Sequence, residues 1–209
     1  MQMKAEDQFI RILTASYGII DIAALRGERG AVELDLGCGR GNYAIKLAQR
    51  FPDRLVIAAD VMIGRLRKLV RRREWLKLDN LDIMRVEAQL MVSRFLPDRC
   101  IDRLHLLCPD PWPKERHRSH RLMTDDFTTQ LHRILKPGGI LHFSSDDIPY
   151  RDSVEKILTN CGLFEPVPEA IADVADLKTD FETLWLGLGK DVKHYSFRTL
   201  PPPPPAAGH

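Results

Sequence analysis

The stretch that decides the fold is ELDLGCGRGN, at residues 33–42. An apolar, β-rich run leads into it and a helical pattern follows, so Gly37, Gly39 and Gly41 lie in a turn from a strand into a helix. Such glycines let the backbone approach a ligand closely and place a helix N-terminus beside it. The glycines stand at every second residue, and Asn42 occupies the position where the dinucleotide-binding fingerprint requires its third glycine. The turn therefore predicts an α/β fold with a ligand at this point, and its pattern departs from that of a nicotinamide cofactor site.

Apolar, β-rich runs alternate with helical patterns around this turn, which is typical of a parallel sheet flanked by helices. The predicted strands are residues 32–36, 55–59, 81–86, 101–108 and 140–145. The predicted helices are residues 43–50, 63–77, 89–95, 125–135 and 151–161. A closing antiparallel pair is predicted at residues 164–167 and 192–197. Together these elements predict a single doubly wound, mostly parallel sheet, forming one Rossmann-like α/β domain over residues 1–199.

Composition narrows the class of protein. The 209 residues fit one domain, and with a net charge of only +2 any nucleic-acid contact requires clustered basic residues. No stretch is long and apolar enough to span a membrane, and the start lacks the apolar centre of a secretory signal, so we expect a cytoplasmic protein. The four cysteines have no Cys-x-x-Cys spacing, which predicts reduced thiols and no metal site. The proline-rich residues 200–209 are predicted to form a disordered tail.

Acidic residues end three successive predicted strands, at Asp35, Asp60 and Glu87. A carboxylate just before the first glycine would repel a pyrophosphate, but it suits a cationic amino group such as that of a methionine moiety. Asp60 lies near the spacing at which a carboxylate accepts hydrogen bonds from ribose hydroxyls, and Glu87 could accept from an adenine amino group. Each acid alone could simply cap the following helix. Three of them beside this glycine loop favour S-adenosylmethionine as the cofactor.

A second motif, PDPWPK at residues 109–114, directly follows the apolar run 104–108. Prolines at alternate positions can continue neither a strand nor a helix, so Asp110 lies at the carboxyl end of a strand, where open α/β sheets bind ligands. Trp112 could stack on a base or only pack the loop. A basic cluster follows, comprising Lys114, Arg116, His117, Arg118, His120 and Arg121. A carboxylate, an indole and cations together suit an anionic, flat-ringed substrate such as RNA.

These motifs, with SDDIPY at residues 145–150 and TDFE at 179–182, resemble those of the bacterial tRNA (guanine-N7)-methyltransferases over residues 32–190. The resemblance implies a class I methyltransferase fold, S-adenosylmethionine as methyl donor, and guanosine 46 in the variable loop of tRNA as acceptor. It implies that Asp35, Asp60, Glu87 and Asp110 bind the cofactor, and that Asp110 is also the catalytic carboxylate. The substrate-binding residues that it implies are Lys114, Asp146, Thr179, Asp180, Phe181 and Glu182.

The chemistry of this reaction fits the predicted layout. Guanine N7 already has an in-plane lone pair, so its attack on a sulfonium methyl group requires no prior deprotonation. Catalysis then depends on alignment and on a carboxylate that stabilises the positive charge developing on the purine, a role that Asp110 or Glu182 could fill. The segment 183–189 is nearly uncharged and Asp180 stands where the family often has a basic residue, which predicts modest affinity for tRNA.

Two other functions stay open at this point. A protein of this fold could methylate a small molecule, a protein or another RNA. It could also be a noncatalytic RNA-binding module, with the proline-rich tail as ligand for a partner that has a suitable groove. Acids at all three strand ends argue against lost catalysis. The pattern does not distinguish a monomer from a homodimer.

Overall fold

The computed structural model describes residues 4–112 and 121–201, and within them eight strands form one sheet. The strands are β1 (Arg11–Ile12), β2 (Val32–Leu36), β3 (Leu55–Asp60), β4 (Leu81–Arg85), β5 (Ile101–Leu107), β6 (Leu135–Ser145), β7 (Phe164–Pro166) and β8 (Lys193–Thr199). They lie side by side in the order β1, β4, β3, β2, β5, β6, β8, β7. Neighbouring strands pair in parallel, except that β8 runs antiparallel to both β6 and β7. The predicted doubly wound sheet with a closing antiparallel pair is therefore confirmed.

The described residues also form seven α-helices. They are α1 (Ile22–Arg26), α2 (Asn42–Arg50), α3 (Ile63–Leu76), α4 (Ala88–Leu90), α5 (Asp125–Ile134), α6 (Ile148–Asn160) and α7 (Asp180–Gly187). Short 3-10 helices span Ala5–Phe9 and Pro168–Val174, and a π-helix, Met91–Phe95, continues α4. None of the helices in the described part of the chain is long and apolar enough to cross a membrane.

The central strands are buried on both faces, because helices cover the sheet on each side. All five residues of β2 and all six of β3 are buried. One apolar cluster joins Leu34 of β2 to Phe127 of α5, and a second cluster on the other face includes Tyr43 of α2. Since side chains alternate along a strand, Asp35 points to the second face, toward α2 and the glycine loop. The fold thus places a carboxylate inside a layer that is otherwise mostly apolar.

Four of the five predicted parallel strands agree with the structure to within one residue at each end, and the fifth starts earlier. β6 begins at Leu135 rather than at residue 140. Ile101 of β5 pairs with Leu135, and Arg103 pairs with Ile140, so residues 136–139 bulge out of a continuing ladder. The proline and the two glycines of this segment interrupt the strand and do not precede it.

The predicted helices are confirmed with two differences. The helix predicted at residues 151–161 begins at Ile148, because the Asp147 side chain accepts a hydrogen bond of 2.8 Å from the Tyr150 amide and thereby caps the first turn. The helix predicted at residues 89–95 divides into α4 and the π-helix. The sequence did not predict β1, α1 or α7.

The carboxyl ends of β2 to β6 meet at one edge of the sheet. Strands β3 and β4 lie on one side of β2, whereas β5 and β6 lie on the other, so the chain order reverses between β2 and β5. Such a switch point is where open α/β sheets bind ligands. β8 is the last strand in sequence but lies inside the sheet and ends at Thr199, the predicted end of the domain. Residues 202–209 of the predicted tail lie outside the described residues.

Candidate active site

The glycine loop closes over the carboxyl ends of two neighbouring strands. Gly37, Gly39 and Gly41 all have positive φ angles, of 83°, 59° and 72°, which explains why glycine is needed at each position. The amide of Gly37 donates a 2.8 Å hydrogen bond to the carbonyl of Ala59, at the end of β3. A Cβ atom at Gly41 would lie 2.5 Å from a methyl carbon of Leu69, so this glycine also permits close packing of α3. The loop is therefore a rigid cradle at the switch point.

Asp35 lies at the base of this cradle, and only 3% of its surface is exposed. Its Oδ2 atom is buried and has no hydrogen-bond partner within residues 4–112 and 121–201. Burial and the nearby Asp60 carboxylate raise the pKa of Asp35 to about 7, against a hydrogen bond from the Ala44 amide that lowers it. An unpaired carboxylate oxygen with a second carboxylate nearby is a site for a cation.

Asp60 ends β3 and fastens the glycine loop to it. Its Oδ2 accepts a 2.9 Å hydrogen bond from the Gly39 amide, and its Oδ1 accepts one of 2.8 Å from the Met62 amide. The guanidinium of Arg65 lies 3.8 Å from Oδ2. The structure thus places Asp60 in the predicted cofactor site, where its remaining lone pairs could accept ribose hydroxyls. That contact stays a prediction.

Glu87 caps α4. Its Oε1 accepts a hydrogen bond of 3.0 Å from the Gln89 amide, and its Oε2 accepts one of 2.8 Å from the Leu90 amide. This is the helix-capping role that the sequence offers as the simple alternative for each acid. The side chain is nevertheless exposed at the carboxyl end of β4, next to the end of β3. A contact between Glu87 and adenine stays a prediction.

Asp110 follows β5, in a segment with unusual backbone geometry. Cys108 and Trp112 have positive φ angles of 49° and 43°, and Asp110 accepts a 3.2 Å hydrogen bond from the Trp112 amide. The side chain of Asp110 is exposed at the same edge of the sheet as the glycine loop. Arg121 donates a 2.9 Å hydrogen bond to the carbonyl of Pro111 and holds this segment from the other side. Lys114 and the basic residues between it and Arg121 lie outside the described residues.

The TDFE segment begins α7 and reaches the glycine loop directly. Thr179 caps the helix, because its hydroxyl accepts a 3.0 Å hydrogen bond from the Glu182 amide. The Asp180 carboxylate accepts a hydrogen bond from Asn42, the first residue of α2, and Asn42 in turn accepts one from Arg72. Phe181 is about half exposed. Two segments far apart in sequence thus meet at the N-termini of α2 and α7.

Glu182 is buried beneath this contact, with 1% of its surface exposed. Its Oε1 accepts hydrogen bonds from His194, at 2.9 Å, and from Lys178, at 2.7 Å. Burial raises the pKa of Glu182, but the hydrogen bonds from these two residues outweigh burial and leave the pKa below its usual value. Its Oε2 is buried and has no partner among the described residues. The carboxylate is thus held by one oxygen only.

Asp146, at the carboxyl end of β6, lies 3.6 Å from the ammonium group of Lys190. Lys190 also lies 3.8 Å from the centre of the Trp185 ring on α7. Asp146 is therefore connected, through Lys190 and Trp185, to the C-terminal part of α7. The structure brings four of the six predicted substrate residues, Thr179 to Glu182, together at the glycine loop, and it joins Asp146 to them through α7.

The sequence did not predict two residues that build this site. Asn42 was recognised only as a departure from the dinucleotide motif, although its side chain connects α7 to the glycine loop. His194 lies in a segment where only a strand was predicted, and it contacts Glu182 across two elements. A polar side chain at the first helical position after a glycine loop was an available signal for Asn42. No local pattern indicates His194.

The chain was compared with known proteins. Residues 29–195 match the family model Methyltransf_4, described as "Putative methyltransferase". A tRNA (guanine-N(7)-)-methyltransferase of Syntrophotalea carbinolica is 33% identical, covering 87% of this chain and 79% of that protein. An enzyme of the same name from Chlamydia caviae is 31% identical, covering 82% and 77%. The crystal structure of the 16S rRNA methyltransferase KamB shares the fold, with a TM-score of 0.65, 20% identity, and coverage of 91% of this chain and 99% of that one. The chain therefore belongs to the tRNA (guanine-N7)-methyltransferase family.

Proposed function

We propose that this protein transfers a methyl group from S-adenosylmethionine to N7 of guanosine 46 in the variable loop of tRNA, in the cytoplasm. The names of the relatives support the reaction and the class of substrate. The observation that best supports the proposal is the contact between Asn42 and Asp180, which brings the substrate segment to the cofactor loop. This contact supports a layout in which the proposed donor and acceptor sites adjoin, as a direct transfer requires.

The residues at the switch point fit this cofactor. When bound, S-adenosylmethionine supplies a methyl group on a positively charged sulfonium, and its amino acid moiety bears an ammonium group. Asp35 would accept the ammonium group, because its buried Oδ2 lacks a partner in the described residues. Asp60 and Glu87 would bind ribose and adenine, and the glycine loop leaves room for close approach. A pyrophosphate would meet two carboxylates here, which disfavours a nicotinamide cofactor.

At the acceptor site the proposed reaction needs no general base, but it needs a carboxylate that stabilises positive charge. Guanine N7 needs no deprotonation, so the protein has to hold the ring in line and stabilise the positive charge that forms on it. Oε2 of Glu182, which is buried and has no partner among the described residues, would accept hydrogen bonds from guanine N1 and its amino group once the bound substrate reaches it. Asp110, exposed at the end of β5, is the proposed catalytic carboxylate. Lys114, Asp146 and Phe181 complete the proposed substrate contacts.

The deciding experiment combines labelled S-adenosylmethionine with unmodified tRNA transcripts and locates N7-methylguanine by chemical cleavage at that base. A transcript with adenosine at position 46 is the matched control. Label at guanosine 46, absent from the control, is the expected result. Cofactor binding without transfer to tRNA would instead favour another methyl acceptor. Failure to bind the cofactor at all would favour a noncatalytic RNA-binding protein.

Cofactor affinity is expected to depend on pH through Asp35. The pKa of this carboxyl is about 7, so near neutrality it must lose a proton before it pairs with an ammonium group. The Kd of S-adenosylhomocysteine, measured by calorimetry, should rise about tenfold for each pH unit below 7 and level off above it. Methylthioadenosine lacks the ammonium group, so its Kd should change little. Equal pH dependence for the two ligands would contradict the assignment.

Binding of tRNA is expected to weaken steeply with salt, because the basic cluster after Asp110 provides phosphate contacts. Lys114, Arg116, Arg118 and Arg121 supply four cations, which predicts a slope of about −3 to −4 in log affinity against log salt concentration. Arg116→Gln should make the slope shallower by about one. Filter binding at several salt concentrations measures both slopes, and a flat response in the unmodified protein would refute the role of the cluster.

A further inference from the structure

Three histidines from neighbouring strands form a continuous chain of hydrogen bonds through the sheet. They are His105 of β5, His142 of β6 and His194 of β8. Nδ1 of His105 lies 2.9 Å from Nδ1 of His142, and Nε2 of His142 lies 2.8 Å from Nδ1 of His194. His105 and His142 are buried, and His194 is partly exposed. We refer to these three residues as the histidine chain.

A carboxylate stands at each end of the histidine chain. Nε2 of His105 is 2.9 Å from Oε2 of Glu33, and Nε2 of His194 is 2.9 Å from Oε1 of Glu182. Glu33 also accepts hydrogen bonds from two guanidinium groups, those of Arg103 at 2.8 Å and of Arg54 at 2.6 Å. Burial raises the pKa of Glu33, but hydrogen bonds from His105 and Arg103 outweigh it and hold the pKa at about 2. The chain therefore connects an ionised core carboxylate to the proposed substrate carboxylate.

Counting hydrogens shows that the histidine chain needs one more proton than three neutral imidazoles provide. Four contacts join the two carboxylates through the three rings, and each contact requires one N–H group if both carboxylates are ionised. Three neutral imidazoles have three N–H groups. Glu182 is itself held as a carboxylate by the ammonium group of Lys178, 2.7 Å away. Nδ1 of His105 also lies 3.1 Å from the Tyr43 hydroxyl, which can donate to it. All four hydrogen bonds of the series exist together only when one of the rings is an imidazolium and His142, not Tyr43, donates to His105.

The surroundings place this proton on His194. His105 is buried beside the guanidinium of Arg103, and His142 lies between two other imidazoles, so burial and these neighbours lower the pKa of both rings. His194 is less buried and faces the Glu182 carboxylate. With His194 doubly protonated, every donor in the series meets an acceptor: His194 donates to Glu182 and His142, His142 donates to His105, and His105 donates to Glu33.

We propose that His194 is a positioning residue, an imidazolium that supplies the extra proton of the histidine chain and orients Glu182 toward the substrate guanine. The inference rests on the proposed function, because it takes Glu182 to be the guanine acceptor. His194 and Lys178 both bind Oε1 of Glu182, and the buried Oε2 has no partner among the described residues. Rotation of the Glu182 side chain away from this position would break both contacts. The sheet thus fixes the direction of a side chain on α7.

Raising the pH should weaken this arrangement. The ionisable groups around His194 are Glu182 on α7, Lys178 before α7, His142 on β6, and its sequence neighbours Lys193 and Tyr195 on β8. When His194 loses its extra proton, it has a single N–H group and can donate to Glu182 or to His142, but not to both. If it donates to His142, Lys178 alone binds the Glu182 carboxylate.

The same three imidazoles do not form a metal site. They contact one another in series rather than facing a common point. Within residues 4–112 and 121–201, no group of three or more histidine, cysteine, aspartate or glutamate side chains could hold a metal ion. Proton sharing therefore accounts for the cluster better than metal coordination.

Nitrogen-15 NMR of the full-length protein with labelled histidine tests the proton count without any substrate. In the pH range where the enzyme is active we expect one imidazolium, assigned to His194, with His105 protonated at Nε2 and His142 at Nδ1. His194→Gln should remove the imidazolium signal. His132→Gln should leave it intact, because His132 hydrogen-bonds to the carbonyl of Leu200 and does not belong to the histidine chain. Three neutral rings throughout that pH range, or an imidazolium that survives in His194→Gln, would overturn the assignment.

Methylation kinetics test the positioning role. His194→Gln can still donate one hydrogen bond to Glu182 but cannot take up a proton. We expect kcat/KM for tRNA to fall on the order of 10- to 100-fold, with an unchanged Kd for S-adenosylhomocysteine. Activity of the unmodified enzyme should decline over the pH range where the imidazolium signal disappears, and His194→Gln should lack this decline.

Two outcomes would count against positioning. Parallel pH profiles in the unmodified enzyme and in His194→Gln would overturn it, since a merely structural role predicts that pattern. An unmodified protein that does not methylate tRNA would overturn the guanine-positioning role together with the proposed function. The NMR result would still decide where the extra proton resides, so the two failures are distinguishable.

Discussion

Asp110→Asn should lower kcat for tRNA methylation on the order of 100- to 1,000-fold while leaving the fold intact. The reaction creates positive charge on the purine, and the substitution removes a negative charge at the carboxyl end of β5, where the donor and acceptor sites adjoin. The structure supports retention of the fold, because Asp110 is exposed and, among the described residues, accepts a hydrogen bond from the Trp112 amide. An asparagine carbonyl can accept the same hydrogen bond, so only the charge changes.

Single-turnover kinetics with saturating cofactor would measure this effect, and thermal unfolding would verify the fold. Asp152→Asn on α6 is a suitable control, since Asp152 is also an exposed aspartate and lies outside the proposed site. A turnover within threefold of the unmodified enzyme would refute Asp110 as the catalytic carboxylate. Glu182→Gln would then be the variant to measure, because Glu182 is the other carboxylate that is proposed to contact the guanine.

Asp35→Asn is expected to weaken cofactor binding and to make the unliganded protein more stable. The cofactor site would lose its partner for the ammonium group, and removing one partner of a buried, hydrogen-bonded charge pair costs about 2–5 kcal/mol of binding free energy. We therefore expect the Kd of S-adenosylhomocysteine to rise about 30-fold or more at pH 8, measured by calorimetry. Its affinity should also lose the pH dependence that the unmodified protein shows.

The unliganded protein should become more stable at the same time. The pKa of Asp35 is about 7 in the folded protein, against an ordinary value of 3.8, because of burial and the Asp60 carboxylate. Folding therefore takes up a proton between these values, and the contribution of Asp35 to stability is present below pH 3.8 and lost as the pH rises through 7. Removing the charge should stabilise the protein by about 1–3 kcal/mol at pH 8, with little effect at pH 4.

Chemical unfolding at both pH values measures this difference, with Asp152→Asn as the exposed control. An equal change in the free energy of unfolding at pH 4 and pH 8 would contradict a raised pKa at Asp35. Weaker cofactor binding together with a larger free energy of unfolding is expected of a binding-site residue. The charge destabilises the unliganded protein, but it is retained because the ligand needs it.

The central strands and the glycine loop could be predicted because their signals are local. An apolar run that ends in alternate glycines needs no distant partner to be recognised, and β2 and α2 begin within one residue of the predictions. The acid at the end of β3 was likewise predictable by position. For Glu87, local reasoning gave two alternatives, and the structure shows the capping hydrogen bonds that one of them requires.

Helix α7 could not be predicted, because contacts distant in sequence stabilise it. Its side chains show no amphipathic period, and Phe181, Leu184 and Leu186 are exposed on it. Its position depends on Asn42, 138 residues before Asp180, and on His194. The histidine chain has the same character, since its members are separated by 37 and 52 residues and meet only through the register of three strands. Such contacts become visible only after the topology is known.

The interior position of β8 has a consequence for protein synthesis. This strand is made last, yet it lies between β6 and β7 and supplies His194 to the Glu182 carboxylate. While the chain is still emerging from the ribosome, the cofactor loop and its acids are already available, but β6 has an open edge and Glu182 lacks one of its two cations. A nascent chain therefore reaches the ability to hold the methyl donor before the ability to orient the acceptor.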